Sequence, residues 1–248
     1  MIKKEKNFLL ENNISKSYFK KKLYVKDRTK LNRTIKNIYN NLDSEKNTLH
    51  ILSKKFTVDF KESNLKKFKK YKSVVLIGMG GSILGAHSIY SFLKQKIKKK
   101  FIFLDNLDQL KIEKIKERIN IKNSLFIIIS KSGNTIETLI NCNLLKDKIN
   151  SNNTIIITEQ NNNLLNLFAK NKKILQIDHK SYISGRYSVF SEVGMLPAYF
   201  MDLKINSFRE NLLTFFKMKK KKVLVDSIVK LAHIYSLKKI KSIVFLNY

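Results

Sequence analysis

Tryptophan is missing from this 248-residue chain, and proline and cysteine occur once each. A single cysteine, Cys142, excludes an intrachain disulfide and fits a reducing compartment. No run approaches the roughly 18 apolar residues that a membrane span needs. The first ten residues carry lysines but no apolar stretch long enough for a signal peptide. No Gly/Ser- or Pro-rich linker and no internal repeat divides the chain. The expectation is a soluble cytoplasmic protein with no membrane partner.

Acidic residues are scarce as well: 19 Asp+Glu stand against 50 Lys+Arg, a net charge of +31. Alone, that excess points to nucleic acid or an anionic surface. The lysines are spread along the chain, however, with short runs only at Lys98–Lys100 and Lys219–Lys222, and no aromatics interleave with them. Plentiful Lys, Ile and Asn beside only seven glycines matches an AT-rich coding bias. The charge is read as a solvated surface that speeds capture of an anionic substrate, and no nucleic-acid partner is expected.

Residues 1 to about 70 place Leu31, Ile35, Ile38, Tyr39 and Leu42 at helical spacing, which predicts mostly helix ending near the lysines at 66–70. From residue 73 the texture changes. Ser73–Ile77, Phe101–Leu104, Leu125–Ile129, Thr154–Ile157 and Ile174–Ile177 read as five strands, separated by helix-like stretches such as Leu107–Ile119. Continuous apolar strands alternating with helices predict an α/β fold whose five-stranded parallel sheet is covered on both faces. Ligands of such sheets bind at the carboxyl ends of the strands. Beyond Pro197 the pattern is helical again, through Phe208, Leu212, Phe215 and Phe216 and then Val223–Leu237. Ile240–Tyr248 reads as a new strand. The expected organisation is a helical N-terminal extension over 1–70, a ligand-binding domain over 71–202, and over 203–248 a helical segment with the first strand of an incomplete second domain.

Three constellations carry chemistry. Gly78-Met79-Gly80-Gly81-Ser82-Ile83-Leu84-Gly85 follows the first strand. Its glycines permit a tight turn and close backbone approach to a ligand, or serve packing alone. A dinucleotide-type G-x-G-x-x-G would need glycine at 83, which is Ile, although Asp105 ends the second strand where a ribose-binding carboxylate would sit. Ser130-Lys131-Ser132-Gly133-Asn134-Thr135-Ile136-Glu137-Thr138 follows the third strand and opens a helix. Hydroxyls and a lysine there make a phosphate cradle at a helix N-terminus, or Ser130 or Ser132 is an ordinary helix cap. Ser184-Gly185-Arg186-Tyr187-Ser188-Val189-Phe190-Ser191-Glu192-Val193-Gly194 follows the fifth strand. Its arginine either meets a phosphate or developing negative charge, or bonds its own loop carbonyls. His50, His87, His179 and His233 form no metal-spaced cluster, and no metal is expected.

Together and in this order, the three motifs resemble those of the phosphoglucose isomerase family, built on sugar isomerase (SIS) domains. The resemblance covers about residues 70 to 200. It implies a flavodoxin-like three-layer α/β/α SIS domain and an aldose–ketose isomerase of glycolysis and gluconeogenesis that interconverts glucose 6-phosphate and fructose 6-phosphate without a cofactor. It implies that Gly81, Ser82, Ser130, Lys131, Ser132 and Thr135 surround the sugar phosphate, that Arg186 is catalytic and stabilises the enediolate, and that the protein is a homodimer. Ser184 departs from the family, which has glycine there. The family's base glutamate, in a segment resembling Q-L-x-x-E-S-x-G-K, has no counterpart in the 248 residues, and neither Glu137 nor Glu192 is assigned its role. The chain is therefore expected to be the N-terminal half of such an enzyme and nearly inactive alone. The alternative is a non-catalytic SIS-type sugar-phosphate-binding module.

Overall fold

The computed structural model describes residues 21–118, 123–213, 221–238 and 242. The strand expected over Ile240–Tyr248, apart from Ser242, and the helical positions Phe215 and Phe216 lie outside the described residues, as does the chain before Lys21. The chain divides into two compact units, one of residues 43–210 and one that joins residues 1–42 to residues 211–248.

In the smaller unit, helices α1 (Lys21–Asn40) and α9 (Lys221–Ser236) pack together. The Tyr24 hydroxyl bonds the Asp226 carboxylate, and His233 Nδ1 lies 2.7 Å from Asp27 Oδ2.

The larger unit begins with short helical turns, at Thr48–Leu52, α2 (Glu62–Leu65) and Lys66–Phe68, where the sequence predicts longer helix. The physical reason is that its apolar residues are used singly rather than as a stripe. Ile51 and Phe56 pack against Ile183, while Leu65, Phe68 and Tyr71 join the core of the sheet. Five strands then alternate with helices: β1 (Ser73–Gly78), α3 (Gly81–Leu93), β2 (Lys100–Leu104), α4 (Gln109–Arg118), β3 (Ser124–Ile129), α5 (Ile136–Leu144), β4 (Thr154–Thr158), α6 (Leu164–Asn171), β5 (Leu175–Asp178), α7 (Glu192–Phe200) and α8 (Ile205–Arg209). All pairings are parallel, in the order β2-β1-β3-β4-β5. Each of the five expected strands is present within two residues of its expected bounds.

Alternation along the strands makes the three layers. Val74 and Leu76 of β1, with Leu125, Ile127 and Ile129 of β3, face the layer that contains α3 and α7. Val75, Ile77, Phe126 and Ile128 face α4, α5 and α6. Helix α7 starts five residues before Pro197, because Ser191 Oγ accepts the Val193 amide at 3.3 Å and opens the helix there. All nine of its residues are buried, Pro197 included. Cys142 sits in the α5 layer, and burial pushes its thiol up to about 12.

Central strand β3 has no exposed residue. Phe126→Ala is expected to cost about 3–5 kcal/mol of stability, the range for phenylalanine truncation in a packed core, measured by denaturant unfolding. The native Cys142 thiol is expected to resist an aromatic disulfide reagent at pH 8 and to react once the chain is unfolded.

Candidate functional site

β1 and β3 are neighbours, with Gly78 opposite Ile129. The chain leaves both strands at the same height. Strand order reverses between them, which makes this edge the switch point where open parallel sheets take ligands.

The turn after β1 is tight. A Cβ on Gly78 would lie 2.9 Å from the Ile129 carbonyl oxygen. Gly80 has φ +53°, a conformation that favours glycine, and the space beside it is open. Helix α3 then begins at Gly81 with no capping side chain. Ser82 is half-buried, and its hydroxyl makes no hydrogen bond to the described residues.

The turn after β3 gathers its hydroxyls. Ser130 Oγ lies 3.0 Å from Thr135 Oγ1 and accepts the Gly133 amide at 3.1 Å. Ser132 Oγ lies 3.4 Å from the same Thr135 oxygen and accepts the Asn134 amide at 3.3 Å. Thr135 is the residue preceding α5, and no side chain caps that helix. Neither serine is the cap that the simpler reading of the motif requires. Two helix N-termini, α3 and α5, therefore meet the switch point without a side-chain cap and with the positive ends of their dipoles; in α3 the Ser82 and Ile83 amides already donate to the Met79 and Gly80 carbonyls at 3.1 Å each, which leaves the Gly81 amide open. The turn is fixed from behind by a residue the motifs do not contain. Asn163 caps α6 by accepting the Asn166 amide at 2.8 Å, and its side chain fills the space where a Gly133 Cβ would stand, 1.9 Å away.

The third motif comes to the same edge. Gly185–Tyr187 form a single 3₁₀ turn, and a Cβ on Gly81 would lie 2.1 Å from the Gly185 carbonyl oxygen. The glycine turn and the arginine turn are thus in backbone contact. Lys131 joins them to the hydroxyl turn: its ammonium donates to the Ser181 and Ile183 carbonyls at 2.7 and 2.9 Å. Gly81, Ser82, Ser130, Lys131, Ser132, Thr135 and Arg186 all lie on turns gathered at this end of the sheet. Arg186 is exposed and makes no hydrogen bond or ion pair with the described residues. Binding to loop carbonyls, the alternative for Arg186, is instead the work of Arg209. Its guanidinium donates to the Phe190, Ile51 and Ser53 carbonyls at 2.5, 3.0 and 3.2 Å and covers the Phe56 ring. Asp105 pairs with Lys111 at 3.1 Å.

Glu192, at the start of α7, is fully buried. Its Oε1 accepts the Asp59 amide at 2.8 Å and lies 3.2 Å from Lys180 Nζ, while Oε2 has no partner among the described residues. Burial raises its pKa above the usual carboxylate range, against the opposing pull of Lys180. His179 is also buried, and desolvation lowers its pKa. Thr48, whose hydroxyl donates to the Tyr182 carbonyl at 2.8 Å and accepts the Ser184 amide at 3.3 Å, supports the same loop. Thr48, Asn163 and Arg209 carry no motif, and only the folded chain assigns them a place.

The arrangement defines an α/β domain of flavodoxin-like strand order that gathers a glycine turn, a hydroxyl turn and an unengaged guanidinium at its switch point. The sequence model of the phosphoglucose isomerase family matches residues 3–222, and the chain belongs to that family. Glucose-6-phosphate isomerase of Methanocaldococcus jannaschii is 36% identical over 155 residues, which are 60% of this chain and 38% of the relative. Glucose-6-phosphate isomerase of Buchnera aphidicola subsp. Cinara cedri is 32% identical over 205 residues, 77% of this chain and 37% of the relative. The chain thus spans less than two fifths of the length of these relatives. Two solved structures share the fold. A hypothetical protein from Thermus thermophilus superposes with a TM-score of 0.59 at 20% identity, covering 88% of this chain and 53% of that one. A glucose-6-phosphate isomerase from Chlamydia trachomatis gives 0.52 at 24% identity, covering 69% and 32%.

Gly81→Ala forces the glycine and arginine turns apart. The expected result is a loss of about 1–3 kcal/mol, as for other overpacked sites, with faster amide exchange at 184–187. Glu192 gives a pH prediction. A carboxyl whose folded pKa is raised holds its proton in the fold at pH values where the unfolded chain has released it. Stability is then greatest below the ordinary carboxylate range and falls as pH rises through the folded value. Glu192→Gln removes that loss, so the melting temperature of the variant relative to wild type is expected to climb between pH 4 and pH 8. A pH-independent difference would contradict the shift.

Proposed function

We propose that these residues form the phosphate-binding and oxyanion-stabilising part of an isomerase that interconverts glucose 6-phosphate and fructose 6-phosphate. The observation that carries the reading is the pairing of two uncapped helix N-termini with an unengaged guanidinium at one switch point. The phosphate dianion takes the Gly81 amide of α3 and the first amides of α5 together with the hydroxyls of Ser82, Ser132 and Thr135. Gly81 and the main chain of Ser130 and Lys131 shape the cradle, and the buried Ser130 hydroxyl holds Thr135 in place. A sugar anchored there extends its carbonyl end toward Arg186.

Aldose–ketose isomerisation moves a proton between neighbouring carbons through a cis-enediolate, so it needs charge stabilisation and a base but no net redox partner. The negative charge develops on the oxygens of the enediolate. A guanidinium fixed beside them favours the intermediate over the neutral sugar. None of the residues assigned here is the base, and the reading places that group outside this set. Family membership at 3–222 supports the substrate class.

Fructose 6-phosphate is expected to raise the melting temperature of the chain, by an amount equivalent to about 2.7 kcal/mol at one hundred times its Kd, while NAD and NADP leave it unchanged. Ser132→Ala removes a hydrogen bond to a charged group, about 1.5–3 kcal/mol, and should weaken the sugar phosphate roughly ten- to a hundredfold. No stabilisation by millimolar fructose 6-phosphate, or stabilisation by NAD instead, overturns the reading.

A further inference from the structure

Lys131 belongs to the hydroxyl turn, yet its ammonium bonds outside that turn. An ammonium has three protons to donate. The Ser181 carbonyl takes one at 2.7 Å, the Ile183 carbonyl another at 2.9 Å, and Glu159 Oε1 faces the third at 3.5 Å. The backbone repeats the tie to Glu159, whose amide donates to the Lys131 carbonyl at 3.1 Å. The side chain is about two thirds covered. Its donors are committed, and they point along the sheet edge rather than into the cradle.

The two carbonyls it holds lie three to five residues before Arg186. Ile183 is fully buried against Ile51 and Phe56, and Gly81 blocks the turn from its other side by contact with Gly185. The guanidinium itself is held by nothing among the described residues. What the fold fixes of Arg186 is therefore the position of its backbone, and Lys131 is the charged link between that backbone and β3.

We infer that Lys131 is a positioning residue: its ammonium clamps the 181–183 carbonyls so that the arginine turn presents Arg186 to the sugar's reacting end, and it does not bind the phosphate. The inference rests on the isomerase reading given above. Electrostatic stabilisation depends on donors fixed before charge develops, since a loop that must reorganise loses part of the gain. A lysine suits the task because its three donors radiate from one atom toward acceptors in three directions, whereas a guanidinium presents a planar fork.

Two ligands separate the roles in the full 248-residue chain. A hexitol 6-phosphate carries the phosphate and chain of the substrate but no enediolate. A five-carbon phosphorylated aldonohydroxamate carries the phosphate and mimics the cis-enediolate. For Lys131→Met, the Kd of the hexitol phosphate is expected to stay within twofold of wild type while that of the hydroxamate rises at least tenfold. Amide exchange at 181–187 should quicken as exchange at 124–129 stays slow. Lys131→Arg, which keeps donors for the two carbonyls, should recover most of the hydroxamate affinity. If Lys131→Met does not fold, Lys131→Gln, with donors for part of the set, must show the same split at smaller size. Equal weakening of both ligands makes Lys131 a phosphate ligand and overturns the inference, as does no change in either. A wild-type chain that binds neither ligand overturns the isomerase reading itself, and the inference with it.

Discussion

The contact between Gly81 and Gly185 governs the geometry of this site. With 2.1 Å between the Gly185 carbonyl oxygen and the position of a Gly81 Cβ, any other residue at 81 pushes the arginine turn off the sheet edge. The contact joins chain segments more than a hundred residues apart, one at the start of α3 and the other between β5 and α7. It is possible only because β1 ends level with β3 and because α3 and α7 pack on the same face of the sheet. Parallel pairing and helix packing thus set where Arg186 stands, and a glycine supplies the clearance.

Charge near the site is arranged rather than merely abundant. The sequence carries an excess of 31 positive charges, yet the cations around the arginine turn have separate duties. Lys131 serves the 181–183 carbonyls, Lys180 neutralises part of buried Glu192, and Arg209 ties Phe190 to the 51–53 segment. Such buried or half-buried engagements are costly to break, because each leaves polar groups without water or partner. Arg186 stands apart from them. A guanidinium left free among engaged neighbours is consistent with a ligand that brings its own negative charge.

Most of the fold was legible in the sequence, and the reason is physical. Five runs of Val, Ile, Leu and Phe bounded by polar segments admit few structures other than a sheet buried on both faces, and β1 through β5 stand within two residues of where those runs lie. The three turns were legible because glycines and hydroxyls cluster there at the strand ends, although the close contacts that demand Gly81 and Gly133 were not. What the sequence left open is set by contacts distant along the chain. Thr48 meets Tyr182 and Ser184 across more than 130 residues, and Arg209 reaches back to Ile51. Segment 41–72 carries enough apolar residues to suggest helix, but they anchor one by one into other layers. The joining of α1 to α9 needs both ends of the chain at once, and neither end alone carries a signal for it. Lys131 is the instructive case: its place in the motif suggests a ligand contact, while its bonds are set by carbonyls fifty residues away.

The pattern of helix caps sets the switch point apart from the other helix starts, as the proposed phosphate site requires. Asp108 accepts the Lys111 amide at 3.0 Å at the start of α4, Asn163 caps α6 and Ser191 caps α7. Among the described helices that follow a strand, only α3 and α5 lack such a cap, although Ser132 and Thr135 stand within a few residues of the first amides of α5. A serine or threonine cap is worth about 0.5–2 kcal/mol, so α5, with Thr135 at its cap position, forgoes a gain that the residue was there to supply, while α3 has Gly80 at that position. The deficit is concentrated at the one edge where strand order reverses and where Arg186 is also unengaged. A phosphate placed there would meet the Gly81 amide, the first amides of α5 and the Ser82 hydroxyl together, and its binding free energy would add to the stability of the fold as a cap's would. The same groups would then meet two demands, closing the helix ends and fixing the substrate, with the ligand acting as the missing cap.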